Sequence, residues 1–424
     1  MKIIFLEKTT NKAIQYMIML FILFTLTPFF QRNYPQMYIG ILLLITVLLF
    51  TKNLLSFSEK KLNKNDLNTF LVVFLWLFFI FLYYLYNPFQ TFRGNFYNVF
   101  LFYFNFLVLI YIKNNFSTKK INYKLCFLLM IILINIITNI YLMIEDPVSS
   151  KYYTGNIKIF VEKYDYSNLM DITHVTAVVL LVPSLIYVFL NIKNVYIKLL
   201  TLAILFSLIY LVYLSASLIT LLSLITTYLF WVILKSKKMI IKYLSLTTFL
   251  ISIFVLFFIK NYIMNYLIDI FTKSSNFFYT QRLNEVYQFM LGNSKDGSLS
   301  ERIDNIKISL QTFYQNFLTG RGFIYSSNIN ETGIGMHSQL IDDLARFGLI
   351  GVLFTFFIFY KYIKLYKNSS ANSYINFTVV LFTVLSLINP TISIPVGTVL
   401  FIVNPLIIQI VSENKNYDQG VNDD

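Results

Sequence analysis

The chain is 424 residues long, 57% hydrophobic and 18% aromatic but only 13% charged, with a mean hydropathy of +0.66. No soluble globular domain needs that much apolar surface, and apolar runs of roughly 17 to 25 residues recur, each long enough to cross about 30 Å of hydrocarbon as helix. The class that remains is an all-α polytopic membrane protein, so the net charge of +14, which in a soluble chain would hint at nucleic acid, reports on topology, and no nucleic-acid partner is expected.

About twelve spans are expected in one membrane-embedded domain covering 1–424: 13–30, 37–51, 67–86, 95–112, 125–144, 172–190, 199–214, 218–234, 240–260, 348–366, 374–393 and 396–411. Gln31-Arg32-Asn33-Tyr34-Pro35 follows the first run without a small-residue cleavage pattern, which predicts a retained helix and not a removable signal. The third span ends before Asn87-Pro88, with Arg93 just beyond. Cys126, the single cysteine, lies in an apolar run and can form no internal disulfide. A smaller loop, 145–171, carries Lys151, Lys158 and Lys163 and leads into Thr173-His174. The long hydrophilic stretch 261–347 contains no proline and is expected to be structured, with short amphipathic helices. The tail 412–424 is polar and expected to be disordered.

With the N-terminus in the cytoplasm, the inner segments hold 21 lysines, no arginine and seven acids, while the outer ones hold 13 basic and 13 acidic residues. The whole +14 then falls on one face, as the positive-inside bias predicts, and both termini are cytoplasmic. All six arginines (Arg32, Arg93, Arg282, Arg302, Arg321 and Arg346) fall outside. In a lysine-rich chain such use of arginine suggests that its fork-shaped guanidinium is wanted for itself.

Within 261–347, Ile303, Ile306, Leu310, Phe313 and Phe317 recur at helical spacing, predicting an amphipathic helix that begins in a Ser298–Glu301 capping box and stops at Gly320. A second short helix is expected from about His337 to Phe347, ending at Gly348. His337 would sit near that helix's start, close to the membrane, where a neutral imidazole can accept a proton from a hydroxyl; its ordinary alternative is a cap or a loop hydrogen bond. Arg302 and Arg321 suit a pyrophosphate through bidentate, permanently charged contacts, and Gly320 and Gly322 would let backbone N–H groups approach it. The alternative is pairing with Glu301, Asp304 or Glu331. Arg93 reads as a snorkelling anchor or as one wall of the same anionic site. His174 beside Asp171 reads as a structural hydrogen bond or a supporting contact to substrate. Asp342-Asp343 reads as helix surface or as partners for Arg346, and no metal site or cofactor is expected, because too few His and Cys are present. Mid-span charges of the kind an ion-coupled carrier uses are also missing.

His337-Ser338, nine residues, then Gly348-Leu349-Ile350-Gly351 resembles the signature of the O-antigen ligase and Wzy-type polysaccharide polymerase superfamily. Ser300-Glu301-Arg302 and Leu318-Thr319-Gly320-Arg321-Gly322 match it too, as does the topology of about twelve spans with one large outer loop in the second half. The resemblance implies a GT-C-like membrane fold and a metal-independent, inverting glycosyltransferase of the bacterial cytoplasmic membrane. Its donor would be a glycan on undecaprenyl pyrophosphate, with His337 as general base and Arg302, helped by Arg321, on the pyrophosphate. A chain-length regulator and a flippase would be its companions. Where many members carry an arginine beside a Ser-rich turn, this chain reads Leu214-Ser215-Ala216-Ser217-Leu218, leaving Arg93 or a first-loop lysine to supply the charge. Polymerisation of repeat units into capsule or O-antigen is the first reading and ligation to a terminal acceptor the second. A lipid-linked oligosaccharide flippase is the reading from another class, and a non-catalytic scaffold, in which His337 and Arg302 are dispensable, a further one.

Overall fold

The computed structural model describes residues 2–58, 64–86, 93–115, 121–145, 169–215, 217–235, 247, 262, 265–266, 268–270, 272–273, 277–291, 298–326, 332–367 and 369–420. The expected ninth span, 240–260, falls almost wholly outside them, as do Lys151, Lys158, Lys163 and Glu331. In chain order the helices are α1 (Lys2–Leu26), α2 (Pro28–Asn33), α3 (Pro35–Ser58), α4 (Lys64–Tyr86), α5 (Arg93–Asn115) and α6 (Ile121–Glu145). Then come α7 (Ile172–Val179), α8 (Val182–Asn191), α9 (Val195–Leu214), α10 (Leu218–Lys235), α11 (Phe277–Met290) and α12 (Ser298–Gln315). The last are α13 (Gln339–Leu365), α14 (Asn372–Ile388), α15 (Ile394–Thr398), a π-helical segment Val399–Val403 and α16 (Asn404–Gly420). Among the described residues the only extended pairing is an isolated bridge between Tyr325 and Ile334.

This is an all-α polytopic membrane protein. Seven helical stretches among the described residues are long and apolar enough to cross a membrane. Four shorter apolar helices (Thr10–Leu26, Pro35–Leu48, Thr220–Leu229 and Asn372–Ile388) stand at the other expected positions, 240–260 excepted. The helix α16 runs through Gly420, into the segment expected as a disordered tail.

The chain divides into two compact units. The first comprises Met1–Ser215, Phe354–Phe382 and Thr391–Asp424. In it α1 packs on α3 and α6, α4 on α5, and α6 on α9, while α5 lies against α15, the π segment and α16. The stretch Ile394–Ser412 is almost entirely enclosed. Its Phe401 is the hub of the core, with Phe102, Phe106, Phe359 and Tyr362 rings 5.3, 5.4, 6.0 and 5.6 Å away. In lipid every backbone group must find an internal partner, and the irregular places here show how that is met. The expected sixth span is broken into α7 and α8 at Leu180-Leu181, just before Val182-Pro183, because proline has no N–H to continue the ladder. Asn404 Nδ2 donates to the Leu180 carbonyl (2.9 Å), and Ser184 Oγ donates to Asn404 Oδ1 (2.6 Å). At the π segment the Tyr362 hydroxyl donates to the Leu400 carbonyl (2.9 Å).

The second unit comprises Ala216–Leu353 and Thr383–Pro390. It holds α10, α11, α12, the first half of α13 and the end of α14. The amphipathic pattern predicts α12 correctly, and the face that protein covers lies beside its apolar stripe. Ile308, Ser309 and Thr312 are the residues buried, while Ile303 and Phe317 stay exposed and Ile306, Leu310 and Phe313 half-buried. The reason is hydrogen bonding. Thr312 Oγ1 donates to the Gly333 carbonyl (2.8 Å) and accepts from the Gly333 N–H (2.7 Å), and Ser309 Oγ accepts from the Gly335 N–H (2.8 Å). A strip of backbone paired only through the single Tyr325–Ile334 bridge needs side-chain hydroxyls for its other groups, and this small polar face supplies them.

Candidate active site

The site is built on a break in a helix. The helix α13 changes direction at Gly348, whose φ of 62° and ψ of −159° only glycine adopts readily. Such a break frees carbonyls before it and N–H groups after it. Residues 317–322 fill all four places: Leu349 and Ile350 donate to the carbonyls of Phe317 (2.9 Å) and Leu318 (3.2 Å), and Arg321 and Gly322 donate to those of Ala345 (2.9 Å) and Arg346 (2.8 Å). A Cβ on Gly348 would stand 2.4 Å from the Leu318 carbonyl group. The sequence expectation that Gly320-Arg321-Gly322 offers N–H donors to a phosphate is therefore corrected. Those of Arg321 and Gly322 are committed to α13, and that of Gly320 to the Asn316 carbonyl (2.8 Å).

Eleven residues before the break, His337 is half-buried on a tight turn ahead of α13. Met336, which precedes it, has a φ of 63°, a strained conformation for a side chain of that size. What holds the turn is Asp342. Its carboxylate accepts from Ser309 Oγ (2.7 Å) and from the backbone N–H groups of Met336 and Ser338. Ser309 belongs to α12 and the other two donors flank His337, so one carboxylate ties the imidazole's turn to α12. The Gln339 N–H donates to the Asn389 carbonyl (3.2 Å) and secures the far side.

Arg302, half-buried in the first turn of α12, faces this turn closely enough to act on the imidazole electrostatically. Burial first, and the Arg302 guanidinium second, push the His337 pKa below its ordinary 6.5, with Glu301 opposing. The ring is therefore neutral at pH 7 and can accept a proton. Arg321 is exposed, and its guanidinium contacts Thr332 Oγ1.

Asp342 and Asp343 are both buried, against the reading of a helix surface. Asp343 pairs with Arg346 (2.6 Å) and accepts from Gln339 Nε2 (2.8 Å). The Arg346 guanidinium lies 5.6 and 5.8 Å from the rings of Phe323 and Phe347, so it joins α13 to the inserted strip. Among the described residues no three His, Cys, Asp or Glu come together in the manner of a metal site.

The other two expected site residues belong to the first unit. Arg93 is the first residue of α5. His174 is buried in the first turn of α7, its Nδ1 2.8 Å from Asp171 Oδ1. That carboxylate also caps α7 through the N–H groups of Thr173 and His174, and Arg32 Nη2 lies 3.8 Å from it. Burial works to raise the Asp171 pKa, but the His174 ring and the capping N–H groups outweigh it and hold the carboxyl well below its ordinary range.

Residues 200–356, which contain this helix break, the His337 turn and Arg302, match the Wzy_C family model, described as O-antigen ligase. The match supports the O-antigen ligase and Wzy-type superfamily. No curated protein matches it. Together with the apolar helices, the match supports a glycosyltransferase-like, multi-pass inner-membrane enzyme acting on lipid-linked glycans. Within that framework Ser309 and Asn389 are residues that sequence reading missed, and Asp342 is one whose role as the clamp it did not foresee. One signal pointed to Ser309, the small polar residues Asn305, Ser309 and Thr312, which recur on one side of α12 and were passed over for the apolar stripe beside them.

Proposed function

We propose that the protein polymerises oligosaccharide repeat units carried on undecaprenyl pyrophosphate into a surface polysaccharide, capsule or O-antigen, at the outer face of the cytoplasmic membrane. The observation that carries the reading is a half-buried imidazole held beside a guanidinium on a carboxylate-clamped turn. His337 takes the proton of an acceptor hydroxyl as its oxygen attacks the anomeric carbon. The bond from that carbon to the pyrophosphate oxygen breaks, and undecaprenyl pyrophosphate leaves with the electron pair. A single displacement inverts the anomeric configuration. Arg302 neutralises charge gathering on the leaving group without a metal, and Arg321, exposed and on the adjoining strip, is the second cation for it. Arg93 and His174 enter as secondary substrate contacts; His174 Nε2, which has no hydrogen-bond partner among the described residues, is the ring atom offered for one. The inner lysine excess supports cytoplasmic termini and an outer site.

The family description favours a second reading at the acceptor only, in which the same chemistry delivers the glycan to a terminal acceptor. A test in membranes with a lipid-pyrophosphate-linked repeat unit separates the two. Wild type should yield a product ladder, and His337→Ala should lower its rate by about 10²- to 10⁴-fold, the usual worth of a general base. Arg302→Ala should collapse the ladder as well, with insertion of each variant verified. Transfer only to an added acceptor would give ligation, and equal ladders from all variants would overturn the site.

A further inference from the structure

We infer that α12 is an interfacial helix, docked through its unburied apolar stripe on the surface layer of the lipid bilayer, and that this docking sets the depth of Arg302. The inference rests on the proposed function only for its consequence. The docking itself follows from three observations.

First, the stripe is long and unclaimed by the unit's own core. The helix α12 buries Ile308, Ser309 and Thr312 toward the Gly333–Gly335 strip and Asp342, while Ile303 is 38% and Phe317 48% exposed. At the C-terminal end the apolar surface widens, with Tyr314 74% and Leu318 61% exposed, and the Phe313 and Phe317 rings are 5.0 Å apart.

Second, the depth of that end is fixed by backbone hydrogen bonds. The carbonyls of Phe317 and Leu318 accept from Leu349 and Ile350, the first two residues after the Gly348 break, where the apolar part of α13 begins. The side chains of 317 and 318 therefore stand level with the first turn of a spanning helix. On α13 Ile350 and Leu353 are exposed and apolar, as expected of a surface turned to lipid, so the patch at Phe317 and Leu318, just past the end of α12, continues a lipid-facing one.

Third, orientation follows from the pattern. A helix of 18 residues is about 27 Å long. Standing off the membrane from its anchored end, it would carry Ile303 and Ile306 far into water. Lying in the interface, it keeps the whole stripe at the boundary and turns Lys307 and Gln311, both exposed, outward. Arg302 is four residues before Ile306, on the flank between the stripe and the face that meets the His337 turn. That flank is the level at which the pyrophosphate of a membrane-anchored polyprenyl carrier lies, so the carrier need not leave the bilayer to reach the guanidinium.

The test uses the full chain with Cys126→Ser, reconstituted in phosphatidylethanolamine and phosphatidylglycerol vesicles and spin-labelled at single introduced cysteines. Collision with oxygen, which concentrates in hydrocarbon, is compared with collision with a water-soluble nickel chelate. Leu318→Cys should give an oxygen-to-nickel ratio approaching that of Leu353→Cys, and Gln311→Cys a ratio lower than both. Phe317→Cys repeats the measurement at the same level should Leu318→Cys fail to insert. A ratio at 317 or 318 no higher than at 311 would overturn the docking, and would do so whether or not the chain polymerises glycans, because the readout involves no activity.

Discussion

His337 is useful as a base only while it is neutral, and its surroundings keep it so. Burial and the Arg302 charge both lower its pKa, and Glu301 works the other way. Activity should accordingly be lost as pH falls through a value below the ordinary 6.5 of histidine. Arg302→Gln removes a nearby cation, so the acid limb of its residual kcat/KM profile should move up in pH. Glu301→Gln should move it down. Opposite shifts from two adjacent residues are the signature of a titrating His337, and limbs that stay put in both variants would assign the titration to another group. Asp342 acts through the turn: Asp342→Asn keeps the shape but weakens the acceptor of three hydrogen bonds. Its kcat should fall while KM for the lipid-linked donor stays near wild type, and Asp342→Glu should restore less than Ser309→Thr retains, because only the latter leaves the carboxylate in place. The ring itself was conspicuous as one of two histidines in the chain. Its clamp was not, because an Asp-Asp pair on a helix reads as solvated surface until the fold shows what closes over it.

At the scale of the element, the device to explain is the exchange of hydrogen bonds between the 317–322 strip and the α13 break. A helix interrupted at the edge of the membrane exposes four backbone groups where neither water nor lipid satisfies them well, and unsatisfied groups of this kind cost roughly 1–3 kcal/mol each. The strip meets all four. Gly320 and Gly348 are the positions at which backbones approach too closely for any side chain, each with positive φ and a would-be Cβ 2.4 Å from backbone atoms of the other segment. Gly348→Ala and Gly320→Ala should each destabilise by about 1–3 kcal/mol or more, the cost of left-handed strain compounded by the clash. The double variant should be markedly less than additive, since either substitution alone separates the same two segments. Thermal unfolding of the purified protein in detergent measures both; additive losses would mean that the glycines serve separate structures. Legibility divides here in an instructive way. The spacing of Gly320, Gly322 and Gly348 stood out in the sequence, and so did a helix ending at Gly348. The purpose of Gly320 and Gly322 was misread as phosphate contact because a Gly-x-Gly gives no indication of which partner its backbone approaches. The stripe on α12 was legible for the same reason that its burial was not: periodicity locates a face but does not say whether protein or lipid covers it.

For the whole molecule, the apolar runs and the lysine distribution made the class of the fold readable from composition, since hydrocarbon thickness sets helix length. Breaks within spans were less readable. The α7–α8 interruption could be anticipated from Pro183, but the π segment at Val399–Val403 leaves no local mark, and its stabilisation depends on Tyr362, distant in sequence. The charge asymmetry leads to a prediction about orientation that the remaining proposals depend on. If the 21 lysines of the inner segments face the cytoplasm, a membrane-impermeant maleimide applied to intact cells should leave Lys198→Cys and Lys367→Cys unlabelled and modify Lys307→Cys and Gln311→Cys, all in the Cys126→Ser background. Opening the cells should make the first pair reactive. The reverse pattern would place α12 and His337 in the cytoplasm, where flipped lipid-linked repeat units are not presented. An outer-face polymerase would then be untenable even with His337 and Arg302 essential. Labelling as expected leaves the His337 turn on the side where a translocated donor arrives, beside the stretch of α13 that enters the membrane and within the segment that matches the ligase family.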